Sequence, residues 1–227
     1  MTKWAAWLTL TALCLATAPT ALAAPVTTNT YDLTSDLCSG GSCGAGPFGT
    51  VTVSSVSADE VAVTLTLAKG EIFANTGAGD SLLFDLSGNP GIKISAISPT
   101  NPTFTAIQTA SGGSIKAGGG AGTWQYAVDC TGCGNGTSSP TSAGPLSFDI
   151  TDMSGITPGS FVVNDKNYYF AADIMGTTGK TGVVAAPALT TTTISSGGTT
   201  SSVPEPATLA VLGMGLLALG QVRRRRA

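Results

Sequence analysis

Histidine is absent from the 227 residues of this chain. Sites in which histidine activates a serine or cysteine nucleophile are therefore excluded, and so are metal sites with imidazole ligands. Any hydrolytic chemistry would have to depend on paired carboxylates. Helical periodicity is also missing, because no stretch between residues 24 and 189 offers a clear amphipathic helical face.

Charged residues are scarce as well. They make up 10% of the chain, against about 25% in a typical soluble domain. Five of the 10 basic residues and one of the 13 acidic residues lie in the terminal segments, so the segment between them carries 5 basic and 12 acidic residues and a net charge of −7. We expect no nucleic-acid partner, since phosphate binding needs clustered Lys and Arg.

Between the two terminal segments, in what we call the body of the chain, apolar and polar residues alternate. Val61, Val63 and Leu65 alternate with Ala62 and Thr64, which is the period of a half-buried strand. Clusters of Gly, Pro, Asn and Ser separate seven such segments, at residues 50–56, 61–67, 81–86, 91–97, 124–129, 146–151 and 168–174. The pattern predicts an all-β fold, a single antiparallel β-sandwich or jelly-roll-like domain at residues 24–189. A Thr-, Ser- and Gly-rich linker is predicted at 190–202.

The N-terminal segment, residues 1–23, has the features of a signal peptide. Lys3 gives a positive start, residues 4–18 are mostly apolar, and the small residues Ala21 and Ala23 favour cleavage before Ala24. We expect a signal helix that is removed on export. An uncleaved membrane helix or a buried core helix is the alternative.

The C-terminal segment, residues 203–227, has three parts in a fixed order. It begins with an extended, proline-bracketed motif, continues with the apolar run 207–222, and ends in a basic cluster. The motif residues are Val203, Pro204, Glu205 and Pro206, and the basic residues are Arg223, Arg224, Arg225 and Arg226. As a helix the apolar run would be about 24 Å long, against a hydrocarbon core of about 30 Å. This predicts a short transmembrane helix, with the arginines as a cytoplasmic stop-transfer signal.

On these residues the segment resembles the PEP-CTERM sorting signal of Gram-negative bacteria. The resemblance implies an exosortase partner, cleavage near the motif, and a precursor held transiently in the inner membrane before release to the cell surface or extracellular polysaccharide. A simple single-pass anchor is the alternative. The body also resembles a recurring β-rich type of exosortase substrate, at residues 32–36 ahead of the first cysteine pair, and this second resemblance implies no activity.

Four cysteines remain once the signal peptide, which contains Cys14, is removed. Cys38, Cys43, Cys130 and Cys133 form an even set, which indicates disulfides in an oxidising compartment. Three connectivities are open, and the local pairs Cys38 with Cys43 and Cys130 with Cys133 are preferred. A four-thiolate zinc site and a redox dithiol at Cys130 and Cys133 are the alternatives.

Three further functions have weaker support in the sequence. Residues 85–89 place oxygen-bearing side chains at alternate positions, as calcium sites do, although the remainder of an EF-hand loop is missing. Aromatic residues could form a platform for a carbohydrate-binding module, although alternating aromatics more often lie in a core. These aromatic residues are Trp124, Tyr126, Tyr168, Tyr169 and Phe170.

A carboxylate-dependent glycoside hydrolase is the remaining alternative. Its acids would be Asp149 with Asp152, or Asp165 with Asp173. We expect instead no catalytic residue, no metal and no obligatory cofactor, with calcium as the one candidate ligand. The sequence therefore predicts a non-enzymatic exported surface or matrix protein, associated with exopolysaccharide or biofilm.

Overall fold

A computed structural model describes residues 25–109, 114–135 and 140–195 of the chain. These belong to one compact unit, Pro25–Ser196. The predicted signal helix at 1–23 and transmembrane helix at 207–222 lie outside the described residues and stay predictions. Within the described residues, no helix combines the length and apolarity that crossing a membrane requires.

The described residues form strands, with one turn of 3₁₀ helix at Pro158–Ser160. The strands in chain order are β1 Val26–Asp32, β2 Ser35–Cys38, β3 Gly49–Ser55, β4 Glu60–Leu67, β5 Ile72–Phe73, β6 Leu82–Leu86, β7 Lys93–Ser98, β8 Thr105–Gln108, β9 Ile115–Ala117, β10 Gly122–Trp124, β11 Tyr126–Asp129, β12 Leu146–Thr151, β13 Phe161–Val162, β14 Phe170–Met175, β15 Thr181–Ala186 and β16 Thr191–Ser195. The prediction of an all-β body is confirmed.

Two antiparallel sheets account for most of the strands. The first has the order β16-β1-β3-β4-β12-β7, and the second has the order β2-β15-β14-β6-β11-β8, with β5 and β13 pairing at its side. A separate hairpin pairs β9 with β10. The antiparallel pairing agrees with the predicted sandwich. Strands that are neighbours in a sheet are often distant in sequence, as β1 and β16 are.

The main core fills the space between the two sheets. In β4, Val61, Val63 and Leu65 are fully buried, while the side chains between them are less so. In β12, Phe148 lies opposite Val63 and is equally buried. Alternation therefore sets which face of each strand enters the core. Burial of an aromatic or branched side chain of this size contributes roughly 1.5–3 kcal/mol to stability.

A second apolar cluster lies on the outer face of the second sheet. Seven buried residues form it: Leu83, Ala121, Trp124, Ala127, Ala171, Val183 and Ala185. Ile115 and Ala117 of the β9–β10 hairpin pack against it, so the hairpin covers part of this face. All five residues of β6 are buried as a consequence, since this strand has a core on both sides.

The segment at 124–129 differs from its prediction as one alternating strand. Trp124 belongs to the outer cluster, whereas Tyr126 and Val128 belong to the main core. The strand is interrupted at Gln125, whose N–H donates to the Asp85 carboxylate at 2.7 Å and whose Oε1 accepts the Leu86 N–H at 3.2 Å. These bonds replace regular ladder pairing, so the residues on either side face different cores.

The predicted linker also differs from the structure in its first part. Strand β16 at Thr191–Ser195 pairs with β1, with Thr193 opposite Thr28. All five of its residues are exposed. Threonine favours extended backbone, so a polar segment can complete a sheet edge without contributing to the core.

Candidate functional site

The four body cysteines form two short disulfides. Cys38 is bonded to Cys43 with a Cα–Cα distance of 5.8 Å, and Cys130 to Cys133 with 5.3 Å. These are the two local pairs among the three possible connectivities. Because every one of these sulfurs is in a disulfide, none is available as a zinc-binding thiolate.

The first disulfide closes a loop around the Asp36 carboxylate. Asp36 accepts the N–H groups of Cys38 and Cys43, each at 3.0 Å, and the hydroxyl of Ser42 at 2.5 Å. Slight burial raises the pKa of Asp36, but the hydrogen bonds from Ser42, Cys38 and Cys43 outweigh it and hold the pKa below its ordinary value. The carboxylate therefore acts as the polar centre of this loop.

Metal binding at that loop is not supported by its chemistry. Among the described residues, Asp36, Cys38 and Cys43 are the one group of three or more His, Cys, Asp or Glu side chains whose ligand atoms lie within 4.8 Å of one another. Two of these atoms are disulfide sulfurs, and the carboxylate already accepts three hydrogen bonds. The cluster is thus explained by the disulfide and its support.

The second disulfide is anchored to the second sheet. Buried Cys130 directly follows β11, donates its N–H to Ser81 Oγ at 3.0 Å, and accepts the amide of Asn75 through its carbonyl at 3.3 Å. A strand precedes the motif, whereas reactive dithiols of this spacing usually begin a helix that lowers a thiol pKa. The geometry favours a structural disulfide.

Close to this disulfide, three aspartates gather at one end of the second sheet. Asp173 lies on β14, Asp129 ends β11, and Asp80 lies just before β6, the strand between them. The Asp173 N–H donates to the Asp80 carbonyl at 3.0 Å. We call Asp80, Asp129 and Asp173 the aspartate cluster. Sequence reasoning considered only Asp173 and paired it with Asp165, because the cluster depends on a strand order that local patterns do not reveal.

Alternation places the cluster on the outer face of the sheet. Ala171 and Ala127 belong to the outer apolar cluster, so Asp173 and Asp129, two residues further along each strand, point the same way. Gly79 also lies on this face, since a Cβ there would meet Val183 at 3.2 Å and Leu83 at 3.4 Å. The aspartate cluster therefore adjoins an apolar surface.

Asp173 is fully buried, and hydrogen bonds of normal geometry reach only one of its two carboxylate oxygens. Its Oδ2 accepts both the N–H and the hydroxyl of Thr76, at 3.1 and 2.5 Å. Its Oδ1 and the Oδ1 of Asp129 are buried without a hydrogen-bond partner of normal geometry. Buried polar atoms without partners are rare, and these two belong to neighbouring carboxylates.

Burial makes the charged state of these acids costly. Burial raises the pKa of Asp173 to about 6, with Thr76 and Gly79 partly opposing it and Asp129 adding repulsion. Burial likewise raises the pKa of Asp80 to about 6, again with a contribution from Asp129, and burial raises the pKa of Asp129. The carboxylates of the aspartate cluster are therefore protonated more readily at mildly acidic pH than ordinary aspartates are.

The other candidate residues from the sequence are dispersed. Asp165 is exposed and accepts the Thr123 N–H at 2.9 Å, while Asp152 accepts the Ser154 N–H at 2.8 Å. The possible calcium loop is used internally, since Asp85 bonds to Gln125 and Asn89 Oδ1 accepts the Tyr126 hydroxyl at 2.9 Å. These contacts favour structural roles.

The five aromatics do not form an exposed row. Trp124, Tyr126 and Phe170 are buried. Tyr168 packs against the outer apolar cluster, and Tyr169 lies against Tyr31 with the two rings tilted and their centroids 5.1 Å apart. The core interpretation of the alternating aromatics agrees with the structure.

Together, the described residues form a low-charge, antiparallel all-β body with two disulfides, a combination that favours an oxidising compartment. Residues 202–226 match the family model of the PEP-CTERM protein-sorting motif. The C-terminal region is thus a PEP-CTERM sorting signal, which implies a secreted, membrane-transiting precursor that an exosortase processes. No curated protein and no solved structure matches this chain.

Proposed function

We propose that the chain is a non-enzymatic surface or matrix protein whose principal reaction is its own processing. The observation that carries this proposal is the sorting motif at residues 202–226. The signal segment exports the chain, residues 207–222 hold it in the inner membrane with the body outside, and the exosortase cuts near Pro204, Glu205 and Pro206. The protein is the substrate in this reaction.

The described body supports a structural role at the cell exterior. Its polar surface is rich in hydroxyls, and its disulfides close short loops at the ends of β2 and β11. We propose that the released body stays in the extracellular layer, in association with exopolysaccharide or biofilm matrix. Fractionation of the native host tests this: we expect the body in the polysaccharide-rich matrix fraction, and recovery only in the free medium contradicts it.

Processing is tested with Glu205→Ala in the native host. Proline on both sides of Glu205 favours an extended backbone, so we expect removal of the central carboxylate to change recognition and to leave that backbone preference unchanged. We expect accumulation of a membrane-bound precursor. Asp59→Ala, at an exposed turn of the body, is the matched control and should be processed normally. Equal release of both variants contradicts exosortase recognition of the motif.

A further inference from the structure

Several chain segments meet at the end of the first sheet where β16 finishes. Its last residue, Ser195, lies opposite Val26, the first residue of β1, and the start of β1 pairs with the end of β3. The β3–β4 turn joins the segment after β12 at this end, since the Asp152 N–H donates to the Asp59 carbonyl at 3.0 Å. We call this end the exit end of the body, because the chain leaves it toward the sorting signal.

Four large apolar side chains are exposed at the exit end. Their exposed fractions are 40% for Val26, 59% for Val56 in the β3–β4 turn, 90% for Met153 after β12 and 70% for Ile194 in β16. We call these four the exit-end residues. A single exposed hydrophobic residue needs no explanation. Here, however, the four come from segments far apart in sequence and share one end of the body, which favours a surface that meets an apolar partner.

We propose that the exit-end residues contact the periplasmic surface of the inner membrane while the precursor is held there. This inference rests on the proposed function, in which residues 207–222 lie in that membrane. The 11 residues 196–206 between β16 and this apolar run reach at most about 40 Å even when fully extended. Because the chain leaves the body at the exit end, this tether brings that end toward the bilayer. A short tether gives a local concentration of about millimolar, so weak apolar contacts suffice.

The charged residues near the exit end indicate what kind of lipid contact to expect. They are Asp59 in the β3–β4 turn, Glu60 at the start of β4, Asp152 after β12 and Lys93 at the start of β7. Acids outnumber bases here, so attraction to anionic headgroups does not drive the contact. Apolar side chains gain instead by leaving water at the boundary between headgroups and acyl chains. We therefore expect contact with zwitterionic phosphatidylcholine, no increase with anionic lipid and little dependence on salt.

The test reconstitutes the signal-cleaved precursor, residues 24–227, into phosphatidylcholine vesicles. Met153→p-benzoylphenylalanine places a photoreactive ketone at the exit end. Leu189→p-benzoylphenylalanine is the matched control, since Leu189 is 42% exposed and precedes β16 at the opposite end of that strand. After irradiation, intact mass reports an attached lipid and gel electrophoresis reports a covalent dimer. Interfacial residues enter only about 5–10 Å into the bilayer, and Leu189 lies about 20 Å further along the strand direction. We therefore expect lipid attachment mainly in the Met153 variant.

Equal lipid attachment in the two variants overturns the proposal. A covalent dimer in place of the lipid adduct also overturns it, because the exit end would then meet a second copy of the chain. Vesicle flotation separates these outcomes from a failure of the proposed function. A chain that does not float with the vesicles contradicts the membrane-held precursor and this contact with it, whereas a floating chain without lipid on the Met153 variant contradicts the contact alone. Both substituted residues are exposed, so circular dichroism should show the same β-rich fold.

Discussion

The clearest quantitative prediction concerns the effect of Asp173→Asn on stability at neutral pH. Burial raises the folded-state pKa of Asp173 from 3.8 to about 6. The folded protein therefore holds this proton more tightly than the unfolded chain, so the contribution of Asp173 to stability is greatest at low pH and falls as pH rises from about 4 through 6. A shift of that size corresponds to about 3 kcal/mol, at 1.36 kcal/mol per pKa unit.

Asparagine keeps the shape of the side chain and cannot become charged. Its oxygen can still accept from Thr76, and its amide replaces the carboxylate oxygen that has no partner. We expect Asp173→Asn to equal the unaltered protein near pH 4.5 and to exceed its free energy of unfolding by about 2 kcal/mol at pH 7.5. About 1 kcal/mol of the total is already lost at pH 4.5, where the carboxyl of the unfolded chain is mostly ionised.

Urea unfolding of the full-length chain at both pH values, with chelator and non-ionic detergent present, measures this difference. Burial also raises the pKa of Asp80 and Asp129. We therefore compare the free energy of unfolding of the variant with that of the unaltered protein, because much of the contribution of these two acids cancels in the difference. Asp59→Asn serves as the exposed control. If Asp173→Asn and the unaltered protein lose stability equally between pH 4.5 and 7.5, burial does not raise the pKa of Asp173.

The remaining predictions concern packing and the disulfides. Phe84→Ala should lower the free energy of unfolding by about 3–5 kcal/mol, because Phe84 is fully buried and its ring centroid lies 5.4 Å from that of Tyr126 and 5.6 Å from that of Phe161. The control Ile194→Ala, at a residue that is 70% exposed, should lower it by less than about 0.5 kcal/mol. Equal losses in urea unfolding would contradict the assigned core. Replacing Cys130 and Cys133 together by serine should cost about 2 kcal/mol, as the entropy of a short loop predicts, and an unchanged urea midpoint would contradict that.

Strands with one buried face could be predicted from sequence because their pattern is local. Val61, Val63 and Leu65 of β4 alternate, and they all enter the core as that alternation requires. Gln125 is an exception to this local pattern, since its side chain interrupts an apparently continuous strand by accepting a hydrogen bond from Leu86 of β6. That contact depends on a partner about 40 residues away in sequence, which no local period encodes.

The aspartate cluster was beyond prediction for a similar reason. Asp80, Asp129 and Asp173 come together because β6 lies between β14 and β11, a strand order that propensities do not specify. Strand β16 could not be predicted either, because its exposed threonines resemble a linker until β1 provides an edge. The sorting signal could be predicted because its motif, apolar run and arginines are contiguous in sequence.

The intact mass of the protein recovered from the envelope and medium of its native host reports export, C-terminal processing and cysteine oxidation together. We expect a chain that starts at Ala24 and ends near Pro204 to Pro206, with Cys38, Cys43, Cys130 and Cys133 oxidised. A mature protein that still ends at Ala227, or one recovered with four reduced cysteines, would contradict it.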